Sequence, residues 1–154
     1  MRLLLQHDNE ILFTDRLRDT PIVTASLVRD IIELICRSHS HPEQANAFSR
    51  IERLIAEQAW AEVALTLIDV ELPQWRLRRL AYDAGAWHCA LSRRRELPDW
   101  LDQAVEASHP DLPGALLGAF IEAAQIAWRL GRPSVPAAPH ETAPYALLCC
   151  DNFA

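Results

Sequence analysis

Apolar residues recur along this chain with two different periods. From residue 22 they fall at Ile22, Val23, Leu27, Val28, Ile31, Ile32, Leu34 and Ile35, with Arg29, Asp30 and Glu33 on the opposite side. That is helical spacing, and it predicts a helix over about 21–37. Thr20 would cap it and Pro21 fits the first helical position. After the polar break at 38–41, Pro42 and Glu43 open a second helical pattern: Phe48, Ile51, Leu54, Ile55 and Ala59, then Val63, Leu65, Leu67, Ile68 and Leu72. It reads as one long helix bent near Trp60 or as two helices meeting there. Pro73 ends it, because a residue before proline disfavours helical backbone.

The period then changes to two. Trp87, Cys89 and Leu91 alternate with His88, Ala90 and Ser92, and an earlier run holds Trp75, Leu77, Leu80 and Tyr82 among Arg76, Arg78 and Arg79. Two strands at 75–82 and 86–92 are expected, joined through Asp83-Ala84-Gly85 as a three-residue loop with Gly in the left-handed position. Adjacent Arg78 and Arg79 break the alternation, and a bulge there would restore it. Leu97-Pro98-Asp99 opens a further helix with Trp100, Leu101, Ala104 and Val105 on its buried face, interrupted at His109-Pro110. Asp111 would cap a last helix carrying Leu112, Leu116, Ala119, Phe120, Ala123 and Ala127, closed by Gly131 and Pro133. Near the start, the apolar runs 3–5 and 11–13 fit either a small hairpin or a helix.

The fold class is therefore α+β: four to five helices on a small antiparallel sheet built around one β-hairpin at about 75–92. Residues 1–20 form an N-terminal segment, with short strands as one reading. Residues 21–131 form a single helical and hairpin domain, and 132–154 a Pro-rich flexible tail. A lone two-stranded hairpin is marginal in water, so this one needs the helices, further strands or a partner chain.

Composition changes this picture in three ways. The 154 residues are 50% hydrophobic, enough to build a core, and no apolar run reaches the length of a membrane span. All 15 basic residues are Arg, so a Schiff-base lysine or a phosphate-loop lysine is excluded. The start, Met1 to Leu5, lacks the apolar run of a signal peptide, so a cytoplasmic chain with reduced Cys36, Cys89, Cys149 and Cys150 is expected.

Charge supplies the most unusual local feature. The chain carries −6, yet residues 75–95 hold six Arg against Asp83, a net of +5, and the other 133 residues hold nine Arg and 20 acids, a net of −11. The candidate partner-binding set is Trp75, Arg76, Arg78, Arg79, Trp87, Arg93, Arg94 and Arg95. Guanidinium groups beside aromatic rings suit an acidic protein surface, or phosphates and stacked bases. Pairing of these Arg with the acids of 43–71 is the intramolecular alternative.

Other chemistry is thin. Cys36, His39 and His41 place three candidate metal ligands at one helix end, but match no zinc signature. Asp99 and Asp102 sit one turn apart; Asp99 is read as compensating the helix dipole in the first turn and Asp102 as part of a solvated face. Cys89 and His88 are neighbours on a strand and point to opposite faces, so they cannot form a nucleophile–base pair, and Cys89 belongs to the core. Gly114-x3-Gly118 is read as close helix packing. No cofactor and no metal are expected, and the balance leans away from an enzyme. The leading expectation is a small interaction or regulatory module acting through the Arg/Trp hairpin, with a protein partner or self-association. Nucleic-acid binding by the same hairpin is the alternative, disfavoured by the net charge. A small-molecule pocket between hairpin and helices is a third reading. No membrane role is expected.

Overall fold

The computed structural model describes residues 13–36, 44–93 and 104–130. The described helices are α1 (residues 13–19), α2 (Ala25–Cys36), α3 (Gln44–Ala56), α4 (Trp60–Glu71) and α5 (Leu112–Leu130). The strands β1 (Arg76–Asp83), β2 (Ala86–Ser92) and β3 (Ala104–His109) form an antiparallel sheet in the order β1-β2-β3. The α+β expectation with its hairpin holds.

Three local readings are corrected and one open alternative is decided. Thr20 does not open α2: its hydroxyl donates to the Arg16 carbonyl at 2.6 Å, at the end of α1. Thr24 caps α2 instead, accepting from the Leu27 N–H at 3.4 Å, so Val23 is buried while Ile22 is 66% exposed. Residues 13–19 are helical, so at Phe13 the helix is the alternative observed, and the remainder of the runs 3–5 and 11–13 lies outside the described residues. The stretch 104–109 is a strand rather than a helix end, because Val105 and His109 are buried, Ala104, Glu106 and Ser108 are exposed, and β2 supplies the hydrogen-bonding partner. The hairpin loop has two residues, since Asp83 pairs with Ala86. Ala84 and Gly85 have φ of 48° and 86°, the positive pair that a type I′ turn requires and that matches strand twist.

Of the two readings for 43–72, two helices meeting near Trp60 is the one observed. Gln58 takes a left-handed φ of 58°. The Ala59 N–H reaches the Leu54 carbonyl and the Gln58 N–H that of Ile55, which is the Schellman pattern that ends a helix.

The core lies between the sheet and the helices. α5 packs against β2 and β3 on one side and α4 on the other, and α3 packs on α4. Ala115, Leu116, Leu117, Ala119, Phe120, Ile121, Ala123 and Ala124 of α5 are all buried, so this helix is apolar nearly all round and sits centrally. Leu27, Val28, Ile31 and Ile35 of α2 join the same core. Gly114-x3-Gly118 does mark a close approach, but to a strand: a Cβ at Gly118 would stand 3.0 Å from the Ala107 Cβ, and one at Gly114 would overlap the His109 ring. No described helix is long and apolar enough to cross a membrane.

Candidate functional site

The hairpin's two faces follow from its register. Leu77 pairs with Leu91, but Arg79 pairs with Ala90, so Arg78 is an extra residue: the expected bulge is present. Strict alternation would put Leu77 and Leu80 on opposite faces. The bulge brings Leu77, Leu80 and Tyr82 to the side of Trp87, Cys89 and Leu91, facing α5, and leaves Arg79, Ala81 and Asp83 on the outer side.

Among the described residues β1 is an edge strand, on the far side of β2 from β3. Leu77 still touches the core, but Leu80 is 39% and Tyr82 60% exposed. The Tyr82 ring leans on Trp87 with centroids 5.3 Å apart, and Trp87 is half-buried. In a two-residue hairpin the closing pair, Asp83 and Ala86, exchanges hydrogen bonds, so ladder bonding alternates back from it. Ala81 and Arg79 therefore bond to β2, while the N–H and C=O of Leu80 and Tyr82 point to the open edge. The same two residues present apolar side chains and backbone groups that no strand pairs among the described residues.

The expected Arg/Trp set separates into parts. Trp75 is not on the surface: it is 2% exposed and belongs to the core, in the turn after α4 where its N–H donates to the Leu72 carbonyl at 2.8 Å. Arg76 donates to the carbonyls of Pro73 and Trp75, both at 2.9 Å. Arg93 donates through Nε and Nη2 to Gln74 Oε1 at 3.0 and 2.6 Å. These two guanidiniums brace the base of the hairpin. Arg78 is half-buried at the bulge, and Arg79 is exposed at mid-strand. Arg94 and Arg95 lie outside the described residues, as do His39, His41, Asp99, Asp102, the segment 1–12 and the tail from 131. Nothing is described of the Cys36 side chain. Among the described residues no group of three or more His, Cys, Asp or Glu is placed to hold a metal.

Cys89 is fully buried, and burial pushes its thiol up to about 12, so it is a packing residue rather than a nucleophile. A cleft of about 280 Å³ lies between hairpin base and helices, lined by Glu71, Leu72, Trp75, Arg93 and Ala127 among others. Sequence reasoning missed β3, and with it the edge position of β1. The signal was present in the alternation of Val105, Ala107 and His109, outweighed by the helix-opening look of Leu97-Pro98-Asp99.

Fold and surface thus define an α+β domain whose sheet, among the described residues, has an open and partly apolar edge. Compared with protein-family models, with curated proteins and with solved structures, the chain matches none.

Proposed function

We propose that this chain is a cytoplasmic protein-interaction module whose contact surface is the β1 edge of the hairpin. One observation carries the reading: Leu80 and Tyr82 expose apolar side chains on a strand whose outer edge pairs with no other strand among the described residues. An open edge with apolar side chains is a template for strand addition, which is why most proteins cover it. Arg79 beside it supplies charge that a partner with an acidic group would meet.

The alternatives draw less support. Arg76 and Arg93 are engaged at the hairpin base, and a chain of net charge −6 repels a phosphate backbone. The cleft of about 280 Å³ sits at the small end for a ligand site and takes its cation, Arg93, already bound to Gln74.

The test is site-specific photo-crosslinking in cells with benzoylphenylalanine in place of Tyr82, and at exposed Arg53 on α3 as a control. A protein adduct from position 82, lost when Leu80→Pro blocks the edge, is expected. Adducts no more abundant from 82 than from 53 would overturn the reading.

A further inference from the structure

We propose that the β1 edge pairs with the β1 edge of a second copy, antiparallel and centred on Ala81, so that two sheets become one of six strands. This deepens the interaction reading above and rests on it.

The length of edge available is short. The Arg78 bulge interrupts the ladder on one side and the turn at Ala84 ends it on the other. The usable window is therefore Arg79, Leu80, Ala81, Tyr82 and Asp83. Two copies of a five-residue window fill each other only when paired antiparallel about its middle residue.

That register is also permitted by hydrogen bonding. Leu80 and Tyr82 are the residues whose backbone groups face outward, and about Ala81 they fall opposite each other. Leu80 meets Tyr82 of the second copy, Tyr82 meets its Leu80, and each pair closes two bonds. Ala81 faces its own symmetry mate as a non-bonded pair, where a small side chain suits the closer spacing.

The side chains agree on both faces. On the outer face Arg79 stands opposite Asp83 of the second copy, and Asp83 opposite its Arg79, so the two-fold axis makes two ion pairs from one of each residue. Both are exposed in the isolated chain. On the helix side, Leu80 packs against the second Tyr82, an aliphatic–aromatic cross-strand contact made twice. Sliding either strand by two residues keeps the bonding parity but sets Arg79 opposite Ala81 or beyond the window, and no charge is matched. An isologous contact of this kind closes on itself and does not propagate into fibres. Since the axis is normal to the sheet, both helix layers lie on one side, and Leu80, Tyr82 and Trp87 of both copies fill the space between them.

The test is sedimentation equilibrium on the full chain. The wild type is expected to form a species of twice the 17.4 kDa chain mass. Arg79→Asp places two carboxylates opposite each other, and Asp83→Arg two guanidiniums, so each variant alone is expected to weaken dimerisation at least about tenfold. Mixed together, the new carboxylate of the first variant meets the new guanidinium of the second at one site, the native Arg79 and Asp83 meet at the other, and the dimer returns. Leu80→Pro, whose lost N–H faces the open edge, is expected to fold and stay monomeric. A wild type that is monomeric at about 200 µM would overturn the proposal, as affinities weaker than this mean no specific dimer. So would a dimer indifferent to the single variants, a mixture that fails to re-form it, or a folded Leu80→Pro dimer. The crosslink at position 82 separates the two levels: an adduct to a different protein sinks self-pairing and leaves the interaction module standing, whereas no adduct removes both.

Discussion

Gly114→Ala tests how β3, α1 and α5 are locked together. In an ordinary helix interior this change stabilises by about 0.8–1 kcal/mol, because alanine has the better propensity. Here a Cβ would occupy the space of Nδ1, Cγ and Cε1 of His109. The ring cannot retreat freely. It is 4% exposed, its Nε2 lies between the carbonyls of Leu17 at 3.0 Å and Thr20 at 2.9 Å, and its Nδ1 accepts the Asp111 N–H at 3.0 Å. Nδ1 also lies 3.2 Å from the Asp111 carbonyl, while Nε2 faces the two carbonyls of Leu17 and Thr20, so Nε2 carries a proton and bridges β3 to the end of α1. Overpacking costs about 1–3 kcal/mol, and each loosened hydrogen bond about 0.5–1.5 kcal/mol. After the propensity gain, a net loss of about 2–4 kcal/mol is expected, which lowers Tm by roughly 5–15 °C for a chain of this size.

The assay is urea and thermal unfolding followed by circular dichroism, for Gly114→Ala, His109→Ala and the double variant. With His109 removed, the added methyl has room, so Gly114→Ala becomes neutral or stabilising by up to about 1 kcal/mol. The two changes then show a coupling of about 2–5 kcal/mol, as residues sharing one space should. An equal cost for Gly114→Ala with and without the imidazole would refute the proposed lock.

Three further outcomes are expected. Burial outweighs the neighbouring Arg18 and holds the Glu122 carboxyl above its ordinary range, so over a window above that range the native state keeps a proton the unfolded chain has released, and stability falls as pH rises through it. Glu122→Gln is expected to raise Tm at pH 7 and to leave it unchanged near pH ~3, where the carboxyl is protonated in the native and the unfolded chain alike; equal shifts at the two values would contradict this. Cys89, its thiol pushed up to about 12, should resist iodoacetamide at pH ~8 in the native chain and react once the chain is unfolded in urea, read by peptide mapping; native labelling would contradict the burial argument. Trp75→Ala is expected to cost about 3–5 kcal/mol of stability by cavity formation, and a folded variant with unchanged denaturation midpoint would return Trp75 to the surface.

Much of the fold was legible because its signals are local. The bulge was readable where Arg78 and Arg79 interrupt the alternation, and the hairpin where a helical period gives way to alternation. Helix ends were less so: Thr20-Pro21 carries every local mark of a start, yet Thr24, closer to the first buried Leu27, takes the cap. The exposed β1 patch was half legible. Arg79 belongs to the expected set, but Leu80, Tyr82 and Asp83 do not; whether Trp75 or Tyr82 faces water depends on where α5 ends its cover, and that is set by β3 taking the other side of β2. A strand's neighbours are tertiary facts, and no periodicity within 75–92 states them.

The arginines of β1 also bear on why such an edge is tolerable. An apolar, unpaired strand invites any extended chain, and proteins blunt this with bulges and charge. Arg78 supplies the bulge and shortens the free edge to five residues, while Arg79 and Asp83 mark its two ends with opposite signs. An incoming strand must match plus to minus across that span as well as apolar to apolar at Leu80 and Tyr82. A random strand rarely meets both conditions, whereas the window read backwards meets them by construction. On this argument the residues that protect the edge and those that select its partner are the same. Asp83→Ala should then loosen selection and self-pairing together, rather than trade one for the other.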